Sequence, residues 1–381
     1  MQDFLLKGLN NADIEKELSS IAFDVSYISQ AANKFRYRNI KIFGLNAAQA
    51  NILKQTALTV GADCATPRNT VTGMIESADC ILGGSISQLQ KIAVKLGMQP
   101  FGLRNLGRKL ENFLSDGIKE YKKPQVMGIL NLTQNSFSDG GEFYNYDDAI
   151  SHLRTMISEG ADIIDIGAES TKPYSKEVPV QAQLEKLLPV LDYITSNNIN
   201  VPISIDTRSS QVARECLNAG ATAINDVSGL DYDKEMVKVI SDYGCPIIIQ
   251  HSKGSPENMQ DNPKYDNLMD EIYRDLHFKI DFAVANGVVK ENIIVDPGIG
   301  FGKIREHNFE ILKRLEELKG LDCPVLIGLS RKSLLNMQNS ENFEKDIYSL
   351  ALNAIALNNG VNIIRVHNVG LHRKLIDMLY D

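Results

Sequence analysis

From residue 124 to the C-terminus, short apolar runs alternate with longer amphipathic segments, and this alternation constrains the fold more than any other feature. It predicts strands at 126–132, 163–167, 202–206, 223–227, 246–251, 293–296, 324–329 and 363–367. It predicts helices at 147–160, 181–196, 209–219, 233–243, 266–286, 306–319, 345–359 and 370–380. Eight β/α units in this span come close to the ~250 residues typical of a (β/α)8 TIM barrel. A doubly wound open sheet would normally carry a G-x-G-x-x-G turn after its first strand, and this sequence has none there.

Polar side chains stand at the C-terminal ends of the predicted strands, where the active sites of such barrels lie. These residues are Asn131, Glu169, Ser170, Thr171, Lys172, Asp206, Thr207, Arg208, Asn225, Asp226, Gln250, His251, Asp296, Ser330, Arg331, Lys332, Arg365 and His367. The opposite ends are mostly Gly-Ala, Cys-Pro and Val-Pro connections. This asymmetry favours an enzyme over an inert scaffold.

The first predicted strand ends on an amide, Asn131, and the polar loop behind it closes with Asp139-Gly140-Gly141. Each polar group at the end of a buried strand must find a partner. We therefore interpret this strand end as the floor of a site, with a covering loop attached.

Asp206, Asn225 and Asp296 end three different strands, so all three are expected to point toward the barrel axis. A carboxylate in that position needs several hydrogen-bond donors. A flat heterocycle with a guanidine-like edge would supply them, and a divalent metal ion is the rival partner. Capping of the following helix is a third reading, stronger for Asp206 than for Asp296. The glycine-rich run 298–302 would permit close backbone approach to a ligand.

Arg365-Val366-His367 ends the eighth predicted strand, next to the last helix. Phosphate often binds at this place in such barrels. Arg365 offers bidentate recognition of oxygens, and His367 adds a donor that can be cationic. A capping salt bridge is the alternative, but the neighbouring strand adds positive charge through Arg331 and Lys332. The pattern favours a phosphate site.

Residues 1–117 are predicted to form a separate small α/β domain, and residues 118–381 the barrel. The N-terminal domain is expected to contain a helix near 11–33, a strand at 40–45, a helix near 46–60, a strand at 80–82 and a helix near 85–96. The sequence does not indicate what this domain does.

Composition excludes several classes of function. The net charge of −8 argues against non-specific nucleic-acid binding. No segment approaches the ~20 apolar residues that a membrane span requires, and the acidic N-terminus is not a signal peptide. The five cysteines have no C-x-x-C spacing, which is typical of reduced thiols in a cytosolic protein. We therefore expect a cytoplasmic protein that binds neither nucleic acid nor membrane.

The strand-end motifs together resemble dihydropteroate synthase. They are 127–131 (MGILN), 136–141 (SFSDGG), 169–171 (EST), 204–207 (SIDT), 224–229 (INDVSG), 296–303 (DPGIGFGK), 330–333 (SRKS) and 365–367 (RVH). The similarity extends from about residue 124 to the end. The N-terminal segment resembles, more weakly, an extra domain found in a subset of these enzymes.

The resemblance implies that p-aminobenzoate displaces pyrophosphate from 6-hydroxymethyl-7,8-dihydropterin diphosphate, giving 7,8-dihydropteroate for folate synthesis. Pterin-binding roles are implied for Asp206, Asn225, Asp296, Lys332 and Arg365. Diphosphate contacts are implied for Asn131, Arg365 and His367, with Mg2+ bound at Asn131. The p-aminobenzoate side would include Thr171, Lys172 and Ser330. Catalytic roles are implied for Asp139, Lys172, Asp296 and Lys332. A homodimer is expected from the resemblance alone.

Six positions depart from the family pattern: Gln134, Asn135, Lys172, Gln250, Ser252 and Asn368. They predict altered p-aminobenzoate affinity or altered sulfonamide sensitivity, because three of them concern the loops, the second substrate or its order of binding. They also keep open a pterin-binding protein without synthase chemistry. The other rival is a pterin-binding methyltransferase barrel, which shares the pterin residues but does not use a diphosphate.

Overall fold

The structure is a computed structural model, and it describes residues 5, 7–9, 13–116, 123–133, 145–169, 177–254, 263–332 and 341–381. The chain divides into two units, Met1–Glu120 and Tyr121–Asp381.

The N-terminal unit contains a three-stranded antiparallel sheet in the order β1-β3-β2. Its elements are α1 (Ile14–Ser20), α2 (Ile28–Ala32), β1 (Tyr37–Leu45), α3 (Ala47–Leu58), β2 (Asp63–Ala65), β3 (Ala78–Ser85), α4 (Ile86–Leu96) and α5 (Leu103–Asp116). Asn46 and Ser85 begin α3 and α4 through capping boxes, which is why these two helices start directly after strands.

Three features of this unit differ from the sequence prediction. The helix expected over 11–33 is two short helices, α1 and α2, separated by a 3-10 turn at Val25–Tyr27. Strand β2 was not predicted, because three residues carry too little periodicity. Helix α5 was also missed, although Leu103, Leu110 and Leu114 bury one of its faces.

The second unit is a parallel eight-stranded barrel, which confirms the predicted fold class. Its strands are β4 (Gln125–Asn131), β5 (Ile163–Gly167), β6 (Ile203–Asp206), β7 (Ala223–Asp226), β8 (Ile247–Gln250), β9 (Ile293–Asp296), β10 (Leu326–Gly328) and β11 (Ile363–Val366). They pair in the order β10-β11-β4-β5-β6-β7-β8-β9, and a bridge between Val295 and Val325 joins the two ends of the sheet. The helices are α6 (Tyr146–Ser158), α7 (Val180–Ser196), α8 (Ser210–Asn218), α9 (Met236–Tyr243), α10 (Leu268–Ala285), α11 (Arg305–Lys313), α12 (Asn342–Asn358) and α13 (Val369–Tyr380).

Alternation along each strand separates the barrel interior from the helix-facing core. Strand residues such as Ile205 and Ile364 pack with the helices in one large apolar cluster. Met127, Ile248 and Ile363 belong to a separate small cluster inside the barrel. Because side chains alternate between the two faces, positions an even number of residues from the interior cluster also face the barrel axis.

Two further properties concern the part of the chain that the structure describes. None of its helices combines the length and apolar character needed to cross a bilayer. All five cysteines are buried free thiols, and burial raises the pKa of Cys64 and Cys216 to about 12.

Candidate active site

Three predicted site residues meet at the C-terminal mouth of the barrel. Asp206 and Asn225 are direct register partners on the adjacent strands β6 and β7, and Asp296 ends β9. All three are buried and occupy interior positions of their strands. Parallel strand ends with the same alternation therefore bring together side chains that are far apart in sequence.

Arg365 also faces the barrel interior, because it lies two residues after Ile363 in β11. Its side chain lies between two carboxylates. Its Nε donates to Asp165 Oδ2 at 2.6 Å, and its Nη2 donates to Asp206 Oδ2 at 2.7 Å. Burial raises the pKa of Asp206 to about 7, an effect that the Arg365 charge opposes and the Asp165 charge adds to. The site thus contains one guanidinium shared by two buried acids.

Sequence reasoning missed Asp165, because it lies in the middle of β5 and only strand ends were considered. It is fully buried, and its Oδ2 also accepts a hydrogen bond from Asn225 Nδ2 at 3.0 Å. A signal was available: β5 reads Ile-Ile-Asp-Ile-Gly, and an acid inside an otherwise apolar strand needs a buried partner.

Lys332 lies near Asp296 across the loop that follows β9. Its Nζ donates to the carbonyl oxygen of Ile299 at 2.5 Å and lies 4.8 Å from the centre of the Phe301 ring. Burial lowers the pKa of Lys332 to about 8, although the Asp296 charge favours the protonated amine. Burial likewise raises the pKa of Asp296, opposed first by Lys332. Each group thus offsets part of the other's desolvation.

The glycines after Asp296 allow a close approach, but to the chain's own backbone. A Cβ at Gly298 would lie 1.9 Å from the carbonyl oxygen of His251, and one at Gly302 would lie 2.3 Å from that of Lys253. Both glycines have positive φ. The described contacts therefore give these two glycines a different role from the predicted approach to a ligand: they let the loop lie on the segment after β8.

Lys303 links this loop to the segment after β8 through hydrogen bonds. No role of its own was predicted for Lys303 from the sequence. It is buried, and its Nζ lies 2.8 Å from His251 Nδ1 and donates to the carbonyl oxygen of Phe301 at 2.9 Å. Burial lowers the pKa of Lys303 to about 7 and lowers that of His251 well below its usual value. His251, one of the polar residues at the predicted strand ends, packs here as a buried partner of Lys303.

His367 forms a local pair with Ser330. Its Nδ1 lies 2.9 Å from Ser330 Oγ, and its backbone N–H donates to the same oxygen at 3.2 Å. Burial, reinforced by the charges of Arg331 and Arg365, lowers the pKa of His367 to about 3. The imidazole is therefore neutral at physiological pH, contrary to the cationic donor considered from the sequence. It can offer a neutral N–H from Nε2 when Ser330 donates to Nδ1.

Comparison with known proteins identifies the family. The model of a pterin-binding enzyme family matches residues 127–367. The chain belongs to the pterin-binding enzyme family. A dihydropteroate synthase of Synechocystis is 41% identical over 250 residues, covering 65% of this chain and 86% of that protein. A Yersinia pestis dihydropteroate synthase, solved with a sulfonamide drug complex, is 40% identical with a TM-score of 0.64, covering 68% of this chain and 93% of the other.

A longer match reaches beyond the barrel unit. A probable bifunctional folylpolyglutamate synthase/dihydropteroate synthase of Haloferax volcanii is 36% identical over 343 residues, covering 84% of this chain. That coverage includes part of the N-terminal unit. The chain spans only 40% of the length of the Haloferax protein.

Three residues to which the family resemblance gives a role, Asp139, Thr171 and Lys172, lie outside the described residues, and so do the departures Gln134 and Asn135. Asn131 ends β4 at an interior position and is partly buried. No cluster of three or more His, Cys, Asp or Glu side chains that could bind a metal occurs among the described residues. Asp206 and Asp296 each have a cation beside them, which disfavours the alternative that these two aspartates bind a metal ion.

Three departures from the family pattern have defined surroundings. Gln250 is buried inside the barrel, and its Nε2 donates to the carbonyl oxygen of Val227 at 3.2 Å. Asn368 caps α13 and donates to Asp346 at 3.3 Å. The Ser252 hydroxyl donates to the carbonyl oxygen of Gly254 at 3.4 Å. All three polar groups thus have partners within the chain.

Proposed function

We propose that this chain is a dihydropteroate synthase, a transferase of folate biosynthesis. The reaction joins p-aminobenzoate to 6-hydroxymethyl-7,8-dihydropterin diphosphate and yields 7,8-dihydropteroate and pyrophosphate. The observation that carries the proposal is the meeting of two buried acids, Asp206 and Asp296, with two partly buried cations, Lys332 and Arg365, at one barrel mouth. The dihydropteroate synthases among the relatives support the same reaction.

The acids and the amide would recognise the pterin. Asp206 and Asp296 accept hydrogen bonds, and Asn225 can both donate and accept, so together they suit a ring edge that carries N–H groups. Lys332 would donate to a ring oxygen or nitrogen from beside Asp296. Arg365 would stack on the ring, since a guanidinium plane packs well on a flat heterocycle.

Diphosphate would bind on the side of Asn131, Arg365 and His367. Arg365 supplies positive charge, and neutral His367 supplies a hydrogen bond without adding charge. Mg2+ suits this donor set, because it usually has few protein ligands and takes others from substrate phosphates and water. The amide oxygen of Asn131 would be the protein ligand. When bound, Mg2+ would neutralise negative charge on the diphosphate.

In the reaction, the bond between the pterin methylene carbon and the diphosphate oxygen breaks, and a carbon–nitrogen bond to p-aminobenzoate forms. The amine nitrogen loses one proton, which passes to water or to the departing pyrophosphate. Positive charge develops on the methylene, and Asp296, on the pterin side, would stabilise it electrostatically. Arg365 and His367 would hold the departing pyrophosphate. Asp139 and Lys172 would help to exclude water, which competes as a nucleophile.

The second substrate would bind beside Thr171, Lys172 and Ser330. Lys172 is a point charge where the family usually has a planar guanidinium, so its contact with a carboxylate would be less directional. We infer from this an altered affinity for p-aminobenzoate or for sulfonamides. Steady-state constants and inhibition curves measured beside the Yersinia pestis dihydropteroate synthase test this, and ordinary values for both would defeat it.

Pyrophosphate release tests the synthase against its rivals. The purified chain is incubated with the pterin diphosphate and Mg2+, with and without p-aminobenzoate. Release that requires the amine supports the synthase, whereas pterin binding without release supports a non-catalytic pterin-binding protein. A methyltransferase-like barrel would bind a methylated folate instead. Asp296→Asn should abolish the amine-dependent release while the protein stays folded by circular dichroism.

A homodimer and a cytoplasmic location also belong to this proposal. Helix α12 leaves large apolar side chains exposed, including Phe343, Ile347 and Tyr348, which suits a subunit contact. Sedimentation velocity of the full chain measures the assembly state, and a monomer at micromolar concentration would contradict the homodimer. We propose no role for the N-terminal unit. Measuring the synthase activity of a chain without residues 1–117 tests whether the barrel depends on this unit for activity.

A further inference from the structure

Asp165 contacts two residues of the proposed pterin site at once. Its Oδ2 accepts from Asn225 Nδ2 at 3.0 Å and from Arg365 Nε at 2.6 Å. Arg365 is 200 residues away in sequence, so only closure of the barrel creates this contact. Asp165 itself is fully buried below the strand ends.

The carboxylate determines which way the Asn225 amide faces. Asn225 Nδ2 donates to Asp165 Oδ2, so the amide nitrogen of Asn225 points toward Asp165. The carbonyl oxygen of Asn225 is then turned away from Asp165. This end of the site therefore presents an acceptor, which suits an N–H group on a ligand.

The same oxygen restrains Arg365. With Nε bound to Asp165 and Nη2 bound to Asp206, the plane of the guanidinium has two anchors on neighbouring strands. Two anchors restrict rotation of the long side chain, which lowers the entropy lost when a ligand stacks on it. Asp165 therefore prepares both an amide and a cation for binding.

A nearby aspartate shows what a purely structural role looks like. Asp226 is equally buried, but both of its oxygens accept from its own loop, from Ser228 and from the Leu230 backbone. Asp165 makes no such local bonds among the described residues. Its Oδ1 is buried without a hydrogen-bond partner there, as is the hydroxyl of Ser204 opposite it on β6.

We propose that Asp165 is a positioning residue for pterin recognition, a proposal that rests on the proposed function. It holds the Asn225 amide with its oxygen toward the ligand and holds Arg365 in the orientation for stacking. It needs no contact with the reacting atoms to do so.

The test compares three variants of the full chain by steady-state kinetics and by direct binding of 6-hydroxymethylpterin, followed by fluorescence. Asp165→Ala removes the acceptor, and the ratio kcat/KM for the pterin diphosphate should fall by about 10- to 100-fold, since small misplacements cost that much. The KM for p-aminobenzoate should change little. Asp165→Asn keeps an oxygen able to accept from both donors, so it should recover most of the lost pterin affinity.

Asp226→Asn is the matched control, since it alters an equally buried acid on the helix-facing side of β7. It should lower the melting temperature and leave the KM for the pterin diphosphate unchanged. The proposal is overturned if folded Asp165→Ala binds pterin like the wild type. It is also overturned if Asp165→Ala and Asp226→Asn change stability and pterin affinity in the same proportion. If the wild type binds pterin but releases no pyrophosphate, the synthase fails, while the binding measurements still decide the role of Asp165.

Discussion

Gly298→Ala should destabilise the barrel because of two separate effects. The residue has φ +68°, and an L-residue in the left-handed region costs about 1–2 kcal/mol. The new Cβ would also lie 1.9 Å from the carbonyl oxygen of His251, so two backbone segments must move apart. Forced overpacking of this kind costs about 1–3 kcal/mol. Alanine also lowers the entropy of the unfolded chain, which offsets about 0.4–1 kcal/mol of this cost and leaves a net loss of about 1–5 kcal/mol.

Gly244→Ala separates these effects. Gly244 ends α9 with φ +61°, and a Cβ there would meet no atom within 4 Å. This control therefore has the strained φ without the backbone clash, and we expect a loss of about 1 kcal/mol. The difference between the two variants, about 1–3 kcal/mol, measures the clash.

Urea unfolding followed by circular dichroism provides the measurement. Both variants contain the same N-terminal unit, so its contribution cancels when their midpoints are compared. Gly298→Ala should also weaken pterin binding, because the Gly298 N–H donates to Asp296 Oδ1 at 2.7 Å, whereas Gly244→Ala should not. Equal destabilisation by the two substitutions would refute the close approach of the loop to His251.

Three further predictions concern ionisation. The His367 imidazole should titrate with a pKa of about 3, and an NMR midpoint near 6.5 would contradict its burial. Because folding raises the pKa of Asp206 to about 7, its contribution to stability is complete below about pH 4 and is lost as the pH rises through 7. The stability of Asp206→Asn relative to the wild type should therefore increase between pH 4 and 8 in urea titrations, and a constant difference would count against this. Arg331 holds the Asp346 carboxylate with two bonds of 2.8 Å and lowers the pKa of that group despite its burial. Asp346→Asn should cost about 1.5–3 kcal/mol at pH 7, and the cost should shrink as the pH falls below about 4. A cost independent of pH would argue against the ion pair.

Strands and helices with a clear hydrophobic pattern could be located from the sequence, whereas very short elements could not. All eight barrel strands stand out as Ile- and Val-rich runs between amphipathic helices, so local pattern alone located them. Strand β2 has only three residues and depends on pairing with β3, which the sequence does not reveal. The helix predicted over 11–33 is interrupted where Asp24 caps a 3-10 turn, a competing local hydrogen bond.

The sequence by itself determined that eight β/α units form a barrel and that polar residues stand at one end of its strands. The alternation of side chains along a strand involves only neighbouring residues, so it can be recognised from the sequence alone. Only the tertiary structure decided which of those groups meet. The placement of Arg365 between Asp165 and Asp206, the neutrality of His367 and the fastening of the glycine-rich loop by Lys303 all depend on barrel closure and burial. Desolvation and long-range pairing act on atoms that are neighbours only in the folded chain, which is why the sequence did not disclose them.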